Sequence, residues 1–476
     1  MGDTPRGTDL LADDSVVMRV ARRFGDAGHE LYVVGGFVRD LALRRDGGAD
    51  LDFATDARPD RTRALLAPVA SEMWLQGERF GTIGARVEGV AMEITTFRTE
   101  RYEPGSRHPD VTFESRIEAD LSRRDFTVNA MAIRLPDRTP VDPFGGLDDL
   151  GARVLATPVA PQASFTDDPL RILRAFRFAS QLQFDVHDDV LDAISELKGL
   201  LATVSTERVR DELTKLLLGA APARALALAS STGVDELFLP ELPALKLEQD
   251  PVHRHKDVFL HTLAVVERTR PVRELRLAAL LHDVGKPRTR HIGPDGVSFH
   301  HHEVVGARMA ADRLRVLRYP NQVVDDVSEL IRLHHRFHTY RLGWSDSAVR
   351  RYVRDAGPLL GLLNELVRAD CTTRNAVKAR ALARRMDELE ARIAELAQRE
   401  ELDRIRPELD GVQIMAYLGV PPGPVVGRAR KFLLDLRIEE GPIGADEVYK
   451  RLDAWARENG IEPAGEVVPP KGDDAA

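Results

Sequence analysis

The sequence has a single cysteine in 476 residues, Cys371, which excludes an internal disulfide framework and fits a reducing compartment. It has no apolar run long enough to span a bilayer. Its start, "MGDTPRGTDLLADDSVV", carries neither the basic flank nor the apolar core of a secretion signal. A cytoplasmic protein with no membrane partner is therefore expected. There is no excess of basic charge either. The formal net charge of −9 argues against bulk electrostatic adhesion to nucleic acid. Local arginine patches can still bind it, and they occur at Arg123–Arg124, in the Arg171/Arg174/Arg177 series and in "HHRFHTYR" at 334–341. No repeat of fixed period is visible, and nothing implies a stable protein partner.

A hydrophobic content of 43% with 30% charged residues is that of a soluble folded chain. The length calls for about two to four domains. Residues 15–150 read as an α/β head. An amphipathic helix with Val16, Val20 and Phe24 on one side leads into strand "LYVV", helix "VRDLALRR" and strand "DLDFAT". "TIGARVEGVAMEITTF", 82–97, reads as a β-hairpin turning at Glu88–Gly89, and "PVDPFGGLDDLGARVL", 140–155, as a hinge. Beyond it the pattern is helical: a neck over 151–250, a histidine-rich domain over 251–375 and a body over 376–465. In the neck, "DPLRILRAFRFASQL" is a helix with Pro169 in its first turn, and "STERVRDELTKLLL" opens on a capping signal. In the body, Leu382, Met386, Leu389, Ile393 and Leu396 mark a long amphipathic helix. Residues 1–14 and 466–476 read as flexible termini.

The first chemical constellation is "YVVGGFVRD" at 32–40 followed by "DLDF", with carboxylates at Asp50 and Asp52. Strand period two puts both acids on one face, with Leu51 opposite. Adjacent carboxylates repel unless a cation lies between them, and magnesium held by carboxylates and phosphate oxygens is the usual solution. Glu93, on a neighbouring strand, could supply a third carboxylate. Gly35 and Gly36 would let backbone N–H groups approach a phosphate, with Arg39 reaching the phosphates one helical turn on. The order Gly-Gly, arginine, paired acids and a later acid points to a nucleoside triphosphate with its magnesium ions.

With "EITTFRTERY", "RRDFTVNAMA" at 123–132 and "DDPLRILRAFRFA" at 167–179, these motifs resemble the bacterial class II tRNA nucleotidyltransferases. These are the CCA-adding enzymes and the related bacterial poly(A) polymerases of the polymerase-β-like superfamily. The resemblance implies an α/β head with a mixed or antiparallel sheet, followed by all-α neck, HD and C-terminal body domains. It implies that Asp50 and Asp52 bind magnesium, that Gly36, Arg39 and Arg124 contact the nucleotide, and that Asp125 lies near the ribose. It further implies that Asp168 and Arg171 serve as an amino-acid template for the incoming base, with Arg174 and Arg177 following on the same broad helical face. A carboxylate accepts from the exocyclic amino group shared by C and A, and arginine donates to ring acceptors, which suits that choice. Asp167 stands where the family has glutamate. The implied reaction adds C, C and A to the 3′ end of tRNA from CTP and ATP, releasing pyrophosphate. The polar segment 98–115 stands where the family places a loop that switches the site from C to A. Two other readings stay open: a poly(A) polymerase, and an RNA-binding phosphohydrolase with a relic head.

Eleven of the 14 histidines lie between 253 and 338. His261, the pair His282–Asp283 and Asp370 match the H…HD…D pattern of the HD phosphohydrolase superfamily, a set suited to a divalent metal whose identity stays open. His302 and His334 resemble the extra ligands of two-metal members, with His301 and His335 as neighbouring alternatives. The tail over 407–441 resembles the RNA-binding end of the same nucleotidyltransferases, with Arg428, Arg430 and Lys431 near a helix start.

Overall fold

A computed structural model of the chain describes residues 7–45, 51–101, 110–247, 257–293, 296–339, 344–372, 376–400 and 405–468. They fall into two compact units. The first lies within Met1–Glu267 and takes in Pro271–Arg276 and Asp312–Pro320; the second comprises Arg268–Arg270, Leu277–Ala311 and the described residues from Asn321 onward.

The first unit is built on a seven-stranded sheet. Its strands are β1 (Leu31–Val34), β2 (Leu51–Thr55), β3 (Ala70–Trp74), β4 (Thr82–Val87), β5 (Val90–Thr96), β8 (Ala132–Leu135) and β9 (Thr139–Val141). Between β5 and β8 the chain forms a separate ribbon of β6 (Arg98–Arg101) and β7 (Asp110–Phe113). The sheet order is β3-β4-β5-β2-β1-β8-β9, and β2–β5 is its one parallel pair. The helix Val16–Asp26 buries Val16, Val20 and Phe24, as its spacing requires. Tyr32, Val34, Ala54 and Phe97 pack with Ile117 and Leu121 in an apolar cluster on the sheet. The β4–β5 hairpin turns at Glu88–Gly89, both with positive φ (48° and 83°). That is the twist a two-residue hairpin turn demands, so Glu88 adopts a left-handed conformation uncommon for its type.

The neck continues in this unit. The segment expected as a hinge at 140–155 is ordered instead: β9, a helix Gly146–Ala152 and a strand Val154–Leu155 that pairs in parallel with Asp185–Val186. The helix Leu170–Leu182 follows, and the helix Thr206–Leu217 lies against it through a buried Arg177–Glu212 ion pair of 3.0 Å. Ser205 occupies the N-cap of the latter helix, but its side chain makes no capping hydrogen bond.

The second unit is mainly helical. One antiparallel ribbon, Arg290–Gly293 with Gly296–Phe299, interrupts the helical pattern expected there. The long amphipathic helix spans Ala376–Glu400 and buries Met386, Leu389 and Leu396. Beyond it, Asp410 caps the helix Gly411–Leu418 in a reciprocal box with Gln413, as acid-to-amide spacing of three allows. No helix among the described residues is long and apolar enough to cross a membrane.

Candidate active site and a buried histidine cluster

On β2, Leu51 and Phe53 are buried and Asp52 between them is exposed. The parallel register sets Asp52 directly beside Glu93 of β5, which is also exposed, so the two carboxylates leave the sheet on one face. The third acid expected from the sequence is thus a lateral neighbour of the second. Asp50 lies outside the described residues.

Where β1 ends, Gly35 takes a φ of 73°. A methyl group there would fall 2.8 Å from Arg124 Nη1 and 4.0 Å from a carboxylate oxygen of Asp52. Glycine is therefore required twice, by the backbone angle and by the close approach of Arg124. Arg39 is fixed nearby: Nη1 donates to Asn129 Oδ1 at 2.7 Å, while Nε and Nη2 hold the Asp40 carboxylate at 2.9 and 3.0 Å. Gly35, Gly36, Arg39, Asp52 and Arg124 line one open cleft of about 620 Å³ together with Asp125, Asp168, Arg171, Arg174 and Arg177. Glu93 adjoins Asp52 and is not part of the cleft wall. Basic side chains outnumber acids along that wall, the distribution expected for a polyanion.

The deeper residues are held by protein partners. Asp125 is buried, accepting from Arg174 Nε at 2.7 Å, from Asn129 Nδ2 at 3.0 Å and from the Phe126 amide at 2.8 Å. Burial alone would raise its pKa, but the Arg174 charge and these hydrogen bonds overcome that and hold it down at about 2. Arg171 is buried and donates to the Ser164 hydroxyl at 2.9 Å and to the Arg123 carbonyl. Arg177 leans on the Phe178 ring, 4.1 Å from its centroid. Asp168 accepts from the Leu170 amide at 3.1 Å and pairs with Arg208 at 3.4 Å. Arg208 and Lys215 of the helix Thr206–Leu217 also line the cleft, as do Asn129 and Phe178. Sequence reading did not assign these four. The helix itself was legible, yet nothing local says that its basic residues return to the site.

In the second unit, His282, Asp283, His302 and His334 are buried together. His282 Nε2 lies 3.2 Å from Asp283 and 3.7 Å from Asp370, and His302 Nε2 lies 3.6 Å from Asp283. Ligand atoms of Asp283, His302 and His334 lie within 4.8 Å of one another. The Nδ1 atoms of His282, His302 and His334 bond the carbonyls of Ala279 (2.8 Å), Phe299 (2.9 Å) and Ile331 (2.6 Å). A carbonyl can only accept, so each Nδ1 carries the proton, which leaves the Nε2 of a neutral ring its lone pair for a ligand; against the desolvation of burial, the Asp283 carboxylate raises the pKa of His282. Burial drives the His334 pKa down to about 3, and burial also lowers that of His302, so both rings are neutral near pH 7. This donor set fits a divalent cation. Of the neighbouring histidines, His301 is exposed, and the His335 ring stands half-buried, 5.1 Å from that of His302. His261 lies on the helix Val258–Arg268 of the first unit, half-buried.

Residues 31–156 match the family model described as the poly A polymerase head domain, 183–245 that of a probable RNA and SrmB-binding site of polymerase A, and 258–403 the HD domain. An A-adding tRNA nucleotidyltransferase of Deinococcus radiodurans is 34% identical over 440 residues, covering 90% of this chain and 95% of the relative. The chain belongs to the tRNA nucleotidyltransferase and poly(A) polymerase family. A CCA-adding enzyme of a Geobacillus species is 43% identical over 216 residues, and that match spans 45% of this chain and about half, 52%, of the relative. The crystal structure of the Bacillus stearothermophilus CCA-adding enzyme in complex with CTP superposes with a TM-score of 0.67 at 26% identity, covering 93% of this nucleotidyltransferase and 97% of that chain.

Proposed function

We propose that this nucleotidyltransferase completes the 3′ end of tRNA, adding C, C and A from CTP and ATP by attack of the terminal hydroxyl on the α-phosphate and release of pyrophosphate. The observation that carries the reading is the convergence of Gly35, Arg124 and Asp52 at the mouth of a cleft whose inner wall holds Asp168 and Arg171. Asp52 and Glu93, with Asp50 from the sequence pattern, would hold magnesium. A cation held there would supply charge to activate the attacking hydroxyl and offset the departing pyrophosphate. Arg39 and Arg124 orient the phosphates and offset their charge. Asp168 and Arg171 present an acceptor and a donor to the base edge, and a wrong base would leave them unpaired. Asp125, locked to Arg174, braces that wall near the ribose. In the second unit His282, Asp283, His302, His334 and Asp370 would hold a divalent metal for phosphohydrolysis, with His261 added by the sequence pattern. The lone cysteine supports a cytoplasmic setting.

The experiment supplies tRNA lacking its last three nucleotides with CTP, ATP and magnesium, then sequences the product. A finished CCA end is expected. A second reading, addition of the final A alone, is favoured by the full-length match to an A-adding relative. It would show as extension of tRNA ending in CC and no extension of the shorter tRNA. A long A tract would identify a poly(A) polymerase.

A further inference from the structure

Asp120 sits on the short helix Ile117–Ser122 with its side chain fully buried. Ile117 and Leu121 already fix that helix to the sheet by apolar packing, so an anion is not needed to hold it there. A buried carboxylate is costly unless it is paired. Here Oδ1 accepts from Arg123 Nε at 3.0 Å and Nη2 at 2.7 Å, and Oδ2 accepts from Arg124 Nη2 at 3.4 Å. Burial pushes its pKa up, but the charges of Arg123, Arg124 and Arg98 outweigh that and hold it below the usual carboxylate value. Arg124 Nε is buried and finds no acceptor among the described residues, while Nη1 stands over Gly35. Among the described residues the cleft-facing guanidinium is therefore anchored by Asp120.

We infer that Asp120 is a positioning residue for the nucleotide: it yokes Arg123 to Arg124 and sets Arg124 between Gly35 and Asp52, where the triphosphate would lie. This rests on the nucleotidyltransferase reading of the cleft. Arg98, at the root of the β6–β7 ribbon, adds its charge to the field at the same carboxylate while its Nη1 donates to the Phe80 carbonyl.

Titration calorimetry of the full chain with CTP and magnesium tests this without RNA, which separates it from the proposed reaction. Wild-type protein that binds CTP but extends no tRNA overturns the reaction alone; protein that binds no nucleotide overturns both. Asp120→Asn should weaken CTP binding and raise its KM by about tenfold, with the KM for tRNA changed less than about twofold. In an Arg124→Gln background the same change should add less than about twofold, because the yoke then has nothing to position. Effects that multiply independently, equal rises in both KM values, or unchanged CTP binding would overturn the inference. Should Asp120→Asn fail to fold, Asp120→Glu keeps the charge and shifts the guanidinium pair by one methylene. It should raise the KM for CTP about threefold, and a folded Glu variant with wild-type CTP affinity would equally sink the role.

Discussion

In the head, Asp52 and Glu93 stand exposed on a sheet face beside an arginine-lined cleft. In the second unit, Asp283, His302 and His334 are buried, and each of the two imidazoles has its proton fixed by a backbone carbonyl. The two regions are prepared for cations in different ways. Solvated carboxylates in an open cleft bind a hard cation weakly until a triphosphate adds its own oxygens, so a cation there would come and go with substrate. Buried neutral imidazoles around one carboxylate have already met the cost of desolvation and orientation, and would form a resident site. The difference predicts that dialysis against a chelator, followed by magnesium, restores nucleotide addition, while metal in the histidine cluster survives mild dialysis and is detected by elemental analysis.

The largest effect that could break the comparison is at Asp52. Asp52→Ala should lower nucleotide addition by at least about a thousandfold, since it removes charge stabilisation made in the transition state. Because the side chain is exposed, thermal stability and metal content should stay at wild-type values. A large fall in either would mean that Asp52 holds structure rather than substrate. The converse substitution is Asp283→Ala. It should abolish metal retention and any phosphohydrolase activity while leaving CTP incorporation within about twofold of wild type. Equal loss of both activities would show that the two sites do not work independently.

Much of this was readable from the chain because the deciding residues are local. Asp52 on β2, the Gly-Gly turn and the His-Asp pair each sit within one strand or turn, and period fixes the direction of the first. The Asp52–Glu93 adjacency needed only the assumption of neighbouring strands. Arg208 was not readable, because its role arises from an ion pair set by tertiary packing that reaches across 40 positions to Asp168. Asp120 pairs with arginines only three and four positions on, and what the chain did not disclose is the burial of its side chain. The ribbon at 290–299 had a signal, Gly293-Pro294-Asp295-Gly296 between apolar residues, which the surrounding helical pattern obscured. The segment at 140–155 misled in the opposite direction. Its prolines and glycines bound short ordered elements there, with Gly146 pressed against the Thr127 carbonyl.

A smaller effect sharpens the contrast from the side of the head. Asp125 has a folded pKa of about 2 against an ordinary 3.8. Its pKa is depressed, so the stability it contributes is complete above the unfolded value and is lost as pH falls through the folded one. The contribution is roughly 2 kcal/mol at neutral pH. The stability gap between wild type and Asp125→Asn, measured by pulse proteolysis in urea, should therefore close between about pH 5 and pH 2. A gap independent of pH would mean that Asp125 acts through shape alone.

The smallest expected effect is at Arg208, and it bears on base choice. Asp168 is mostly shielded and Arg208 about half exposed, and their 3.4 Å contact is that of a weak, solvent-screened pair. Arg208→Ala should leave stability nearly unchanged and relax the aim of Asp168, so discrimination between CTP and UTP should fall by about two- to fivefold. Salt should narrow the difference between variant and wild type, because screening weakens the pair in both the free and the loaded cleft. The magnitude decides between two roles. A change of several hundredfold would make Arg208 a direct contact to the nucleotide, because a partly exposed ion pair cannot supply that much. A change within the predicted range leaves the choice of base with Asp168 and Arg171, whose backbone anchors at Leu170 and Arg123 hold them in place when Arg208 is gone.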